Sequence, residues 1–380
     1  MRGVRFVFFS LLLVAAGSVH AVGGDVKQAR EGPGLFVGSA SCSSSSCHGG
    51  AGEKRSQFIT WSRQDFHTRA YAILLGARST RIAEAVGIGH APTNARCTGC
   101  HSPLQAVAPI RLAVAAQVDQ GVSCESCHGA AGGWLRGHTR PDWTYAMRVG
   151  AGLHDLRQLY MRANACAACH QNVDNDILQA GHPTLVFELD SQSVNEPKHW
   201  RDEDPWRGAR AWLTGQATAL REAAWGARTQ SEPAPDMQET SVALGWLLAK
   251  VTLTDPNLPQ VVEPATSDLE PLQRDGDTLA RAAAKWNPTM DGVMVLLRSL
   301  AEMDSEFTIN KERSGEALFY RGRRLVLALD RLTTALNANR DIPLKLDPEL
   351  KALEKDIAEA HGNLDAGKFS EHLRAFRGKL

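Results

Sequence analysis

Hydrophobic positions fall into three regimes along the chain. It opens Met-Arg-Gly-Val-Arg, runs apolar from Phe6 to Ala16, and then turns to small residues ending Val19-His20-Ala21. A basic start, an apolar middle and a small-residue end is the order of a cleavable export signal, which predicts a signal peptide over 1–21 cut after Ala21. The alternative is a retained anchor, for which the run is short of the roughly 20 residues a spanning helix needs. From there to about Trp200 the chain is rich in Cys, His and Gly and lacks long periodic apolar segments. Past Asp204 the pattern becomes helical. Leu318, Leu325, Leu329, Leu332 and Leu336 share one face, and Leu350, Leu353, Ile357 and Leu364 do the same in a helix opened by Asp347 as N-cap and Pro348 as first position. Shorter patterns predict helices over 206–228, 242–253 and 293–303, with Pro- and Asp-rich loops over 231–236 and 255–271. Such a tail either packs its own core as a bundle or offers a face to a partner. No later segment is apolar enough to span, so no membrane span is expected in the mature protein.

Composition narrows the classes. Lys plus Arg and Asp plus Glu each number 42 in 380 residues, with no basic stripe, so a nucleic-acid partner is not expected. Eight cysteines in an exported chain ordinarily suggest disulfides, with about 105 pairings open. Their placement points elsewhere: all precede residue 170, in four close pairs.

A histidine follows each pair directly: Cys42-Ser-Ser-Ser-Ser-Cys47-His48, Cys97-Thr-Gly-Cys100-His101, Cys124-Glu-Ser-Cys127-His128 and Cys166-Ala-Ala-Cys169-His170. Three are c-type haem attachment motifs, and the first is a version with a four-residue spacer. Both thiols must reach the vinyl groups on one edge of a macrocycle, and the adjacent imidazole must then swing beneath the ring to ligate iron. Two intervening residues make the tightest such loop; four bulge outward, which suits the small polar Ser43 to Ser46. Zinc ribbons also pair cysteines but need no histidine after each pair. With 13 histidines in 380 residues, chance placement at all four positions is on the order of one in a million. The reading is four covalently bound haem c groups, with His48, His101, His128 and His170 as proximal iron ligands. Haem also supplies the apolar volume that the first half lacks.

The segments Gly121-Val-Ser-Cys-Glu-Ser-Cys-His-Gly129, Asp65-Phe-His-Thr-Arg-Ala-Tyr71 and Gly181-His-Pro-Thr-Leu-Val-Phe-Glu188 resemble the tetrahaem cytochromes typified by cytochrome c-554, the electron acceptor of hydroxylamine oxidoreductase. The resemblance covers roughly residues 36 to 200 and leaves out the tail. The first spacer departs from that family's usual pattern. The resemblance implies that His67 is a distal ligand to a later haem. It also implies that one haem can lack a distal ligand, with the second site the natural place for it here.

A haem ligated on both faces passes electrons, whereas an open position can transform a small molecule. Setting aside the proximal four, His20 in the signal, and His361 and His372 in the tail, six histidines remain. His67, His90, His138 and His182 are the distal candidates. His90 sits beside Gly89 in a loop seven residues before Cys97, His138 follows the third site by ten residues, and His182 lies in the Gly-His-Pro segment. His154 and His199 read as surface or supporting groups, and Met147 and Met161 as core filler rather than ligands. The pairing of distal with proximal ligands stays open.

The expected fold is mainly α: a haem-packed multihaem domain over 22–204 with few regular elements, followed by an α-helical bundle over 205–380. The expected function is periplasmic electron transfer between redox partner proteins, either other cytochromes or an oxidoreductase complex. Haem propionates would make the loaded protein more acidic and favour partners with basic docking patches. The alternative is an oxidoreductase acting on a small nitrogen or sulfur species at one five-coordinate haem. No catalytic side chain is assigned, and Glu125, inside a motif spacer, reads as local polarity rather than as an acid catalyst.

Overall fold

The computed structural model describes residues 34–200, 204–230, 235–263, 268–308 and 313–380. The export signal expected over 1–21 lies outside them. Among the described residues the fold is mainly α, with sixteen α-helices and a single isolated parallel bridge between Phe36 and Leu112. None of the helices is long and apolar enough to cross a membrane.

Up to residue 195 most helices are short: α1 Gln57–Gln64, α2 Ala70–Leu74, α3 Ala77–Ala85, α4 Ala95–His101, α5 Cys124–His128, α6 Tyr145–Gly150, α7 Leu159–His170, α8 Asn175–Gln179 and α9 Leu189–Asn195, with 3-10 turns between them. Apart from α7, this region holds one small cluster of its own, Leu74, Ala83 and Ala91, while Phe66, Ile73 and Leu75 are exposed. That shortage of protein-only core matches the sparse apolar pattern of its sequence.

The remaining helices are α10 Arg207–Thr229, α11 Pro235–Thr254, α12 Glu270–Ala283, α13 Met290–Ala301, α14 Gly315–Ala338, α15 Asp347–Glu359 and α16 Ala366–Arg377. They enclose one large core that includes Trp212, Trp246, Leu297, Leu325, Leu329 and Phe369. Helix α10 runs through its centre, with α12, α11, α7 and α14 packed around it. Its lining of Ala209, Ala217, Ala219, Ala223 and Ala224 is fully buried, and short side chains let neighbouring backbones approach. The closest approach is at Gly276 of α12, where an added Cβ would lie 2.8 Å from the Arg221 nitrogen and 2.9 Å from the Ala217 oxygen.

The predicted helices are present, with differences at their ends. Leu364 is buried but lies beyond α15, in the turn that enters α16. Asp347 is the first residue of α15 and Leu346 its cap, a one-residue shift of the ordinary size. His361 sits in a turn at φ 45°. Helices α12 and α16 were not predicted, although Leu272, Gly276, Leu279, Ala280 and Ala283, and Ala366, Phe369, Leu373 and Phe376, bury helical stripes. The large core also takes in Leu159, Ala163 and Ala167 of α7, with Phe187 and Leu189, so the helix carrying the fourth Cys-x-x-Cys-His motif is bonded to the tail by packing.

Candidate haem-binding site

Local sequence places three of the motifs at the ends of helices and the first in a turn. Asn94 accepts a hydrogen bond from Arg96 N–H and starts α4, whose last turn is Cys97 to His101. Ser123 and Ser126 cap α5 reciprocally, and α7 ends on Cys166 to His170. At the first motif the four-serine insert turns outward: Ser44, Ser45 and Ser46 are exposed, while the His48 N–H returns to the Cys42 carbonyl at 3.2 Å. All eight cysteines are free thiols.

Two residues tie the motifs together. Glu125 is 2 % exposed and accepts backbone N–H groups of Val37 at 2.9 Å, Gly38 at 2.8 Å and Ala131 at 2.7 Å. It therefore clamps the segment leading into the first motif onto the third, a more specific role than local polarity. Gly121, at φ 74°, lies against the backbone of the His67 turn, where a Cβ would come 2.4 Å from the His67 oxygen. Val122 N–H donates to that same oxygen at 3.0 Å.

Each motif histidine lies beside another histidine. Ring centres lie 6.1 Å apart for His48 and His138, 6.4 Å for His101 and His182, 6.2 Å for His128 and His199, and 6.1 Å for His170 and His67. Imidazoles bonded at about 2.0 Å to opposite faces of one metal ion have centres roughly 6 Å apart, so the four pairs have the span of four doubly ligated irons.

The hydrogen bonds agree. His48 Nδ1 meets the Gln57 Oε1 at 3.0 Å, His101 Nδ1 the Ala70 carbonyl at 3.0 Å, and His182 Nδ1 the Pro183 carbonyl at 2.8 Å. His138 Nδ1 donates to the Leu135 carbonyl, and His67 Nδ1 is 3.0 Å from Asp65 Oδ1. Donation from Nδ1 fixes the tautomer and leaves Nε2 with its lone pair, which is how metal-ligating histidines are held. Burial pushes His128 down to about 4 and also lowers His170 and His182, keeping these rings neutral. His67 moves up, because its bond to Asp65 outweighs burial.

The thiols interlock between motifs. Cys42 and Cys124 interact, as do Cys100 and Cys169, and the hydrogen bond within each couple lowers one thiol, Cys124 and Cys100, and raises the other, Cys42 and Cys169. These shifts belong to the unattached thiols. They place the first motif against the third and the second against the fourth.

Of the distal candidates, His67, His138 and His182 each meet a proximal ring. His90 is exposed and, among the described residues, forms no ring pair with a proximal histidine. The fourth partner is His199, read from the sequence as surface or supporting; its Nδ1 is buried without a protein partner, and it packs on Trp200. Nothing in Lys198-His199-Trp200 signals this, since the approach to His128 is made by the chain after α9. His154 donates from Nδ1 to the Cys127 carbonyl at 2.9 Å and from its backbone N–H to the His128 carbonyl at 3.0 Å, supporting the third motif from outside.

Comparison with known families matches residues 41–129 to the family described as cytochrome c554 and c-prime. That segment holds the first three motifs, and the fourth lies beyond it. No curated protein and no solved structure matches the chain.

Proposed function

We propose, from the match of residues 41–129 to the cytochrome c554 and c-prime family, that the chain is a c-type cytochrome of electron transfer with covalently bound haem, a tetrahaem carrier whose four irons would each be ligated by two histidines. The observation that carries this is the set of four ring pairs at 6.1 to 6.4 Å. The residues that would hold the irons are His48 with His138, His101 with His182, His128 with His199, and His170 with His67; His199 would take the place that the sequence offered to His90. The thioethers form on Cys42 and Cys47, Cys97 and Cys100, Cys124 and Cys127, and Cys166 and Cys169. The chain is exported to the periplasm and exchanges electrons with other cytochromes or an oxidoreductase complex. In this reading residues 22–204 form the haem domain and 205–380 the helical domain.

Haem supplies reversible one-electron chemistry at iron. The chain's own residues hold and space it. The paired imidazoles would hold each iron from both sides, which would select electron transfer over binding of a small molecule. Carbonyl and carboxamide acceptors fix the rings, so changes in oxidation state cost little reorganisation. The contacts of the first motif with the third and of the second with the fourth would keep the attached haems near one another, as an electron relay requires.

The test is the optical spectrum of the periplasmically matured protein, oxidised and dithionite-reduced, with and without carbon monoxide. Low-spin bands unchanged by carbon monoxide, with a haem-to-protein ratio of four, are expected. A high-spin component that shifts with carbon monoxide would expose an open iron and favour an oxidoreductase acting on a small nitrogen or sulfur species.

A further inference from the structure

Five of the eight paired imidazoles have a hydrogen-bond partner at Nδ1, and four of those partners are neutral: the Gln57 side chain and the carbonyls of Ala70, Leu135 and Pro183. The fifth is the Asp65 carboxylate on His67. Asp65 is 4 % exposed and caps the 3-10 turn Phe66–Arg69, also accepting the His67 backbone N–H at 2.9 Å. One carboxylate thus grips both the ring and the backbone of the same residue. Glu196 completes the surroundings, its carboxylate lying within 4.8 Å of ligand atoms of both Asp65 and His67, with His199 and Arg162 nearby.

A carboxylate that accepts the Nδ1 proton makes the imidazole a stronger donor to its metal, more than a carbonyl does. A stronger donor favours the more positive ferric iron over the ferrous one, and hydrogen bonding around the ligands is one of the protein's means of setting a haem potential. Low exposure preserves the effect, since solvent does not screen the charge. Two hydrogen bonds from His67, one from the ring and one from the backbone N–H, favour the ionised carboxylate over its protonated form.

We propose that Asp65 is a positioning residue whose charge, acting through His67, makes the haem between His67 and His170 the lowest in potential of the four. The inference rests on His67 being an axial ligand. Electrons delivered to the protein then fill the other three haems first, and the fourth-motif haem is the last to be reduced and the strongest donor once it is.

The experiment is a spectropotentiometric titration of the four-haem protein at fixed pH, in the wild type and in Asp65→Asn, His67→Ala and Gln57→Glu. Asp65→Asn keeps an oxygen for the Nδ1 proton and removes the charge. The lowest of four one-electron components is expected to move up, with the reduction equilibrium constant rising tenfold or more, equivalent to about 59 mV per tenfold. The other three stay in place and all bands remain low-spin. His67→Ala tests the ligand reading separately by creating one high-spin haem. If His67→Ala leaves every haem low-spin, the ligand assignment fails and the inference with it. If it creates a high-spin haem but Asp65→Asn moves no potential, the ligand stands and the charge effect is overturned. A high-spin signal in Asp65→Asn itself also overturns it, since Asp65 would then serve only to hold the ring. Should Asp65→Asn not load four haems, Gln57→Glu decides, because it puts a carboxylate on His48 Nδ1: a fall in one component supports the inference, and no change overturns it.

Discussion

The Glu125 carboxylate accepts three backbone N–H groups in a site with almost no access to water. Glu125→Gln keeps the shape but turns one oxygen into an NH2 group facing donors. Hydrogen bonds to a charged acceptor contribute about 1.5–3 kcal/mol each, and a buried donor left without a partner costs a similar amount. The substitution is expected to destabilise the protein by about 2–4 kcal/mol. It should lower the denaturant midpoint at unchanged slope, while the reduced spectrum of the native protein stays low-spin. The four cysteine-pair and histidine motifs stand out in the sequence, because thioether chemistry would fix their spacing along the chain. The facing residues obey no such local rule. His90 looked suitable beside Gly89, yet it lies exposed, whereas His199 reaches His128 from a segment about 70 residues downstream, a contact set by how α9 and the following loop lie on the motifs.

At the level of elements, α12 against α10 is where small residues govern packing. Alanine for glycine inside a helix ordinarily gains up to about 1 kcal/mol through propensity. At Gly276 the new methyl would stand 2.8 Å from Arg221 N and 2.9 Å from Ala217 O, backbone atoms that cannot rotate away. The helices must separate, at a cost of about 1–3 kcal/mol. The clash therefore outweighs the propensity gain, and Gly276→Ala is expected to lower the melting temperature. Gly208, in α10 with nothing within 4 Å of its added Cβ, is the control, where Gly208→Ala should be neutral or slightly stabilising. A Gly276→Ala protein as stable as Gly208→Ala would show that the interface yields. The long helices were readable because their apolar stripes continue over many turns. Helix α12 was not read because its stripe is built on Gly276, Ala280 and Ala283 as much as on leucine, and small residues carry little hydrophobic contrast. Helix α16 did carry a readable stripe, but the turn holding Leu364 separates it from α15 and the two ran together as one pattern.

Across the whole molecule, the fourth motif is fastened to the tail by a polar network as well as by packing. Tyr160 of α7 donates to Asp277 of α12 at 2.7 Å, Arg221 of α10 donates to Asp277 at 2.8 Å and to Asn164 of α7 at 2.6 Å, and Arg281 reaches the other Asp277 oxygen at 2.9 Å. Burial pushes the Asp277 carboxyl up, but the hydrogen bonds from Tyr160, Arg221 and Arg281 outweigh it and hold the group at about 2, against roughly 3.9 for an unfolded aspartate. A carboxyl lowered in the folded state adds stability above its unfolded value, and that stability is lost as pH falls from about 4 towards 2. Because the side chain is partly open to solvent, screening reduces the contribution to about 1 kcal/mol. Asp277→Asn is therefore expected to be less stable than the wild type at pH 6 by about this amount, with the gap closing between about pH 4 and 2, as read from denaturant midpoints across that range. A gap independent of pH would mean that Asp277 contributes shape rather than charge. Since α7 ends in Cys166, Cys169 and His170, loosening this network acts on the fourth attachment motif before the other three. If the chain carries the four haems proposed, the Soret band of Asp277→Asn at pH 6 should lose about a quarter of its low-spin intensity in step with the first helical signal to melt, and the remainder should follow later.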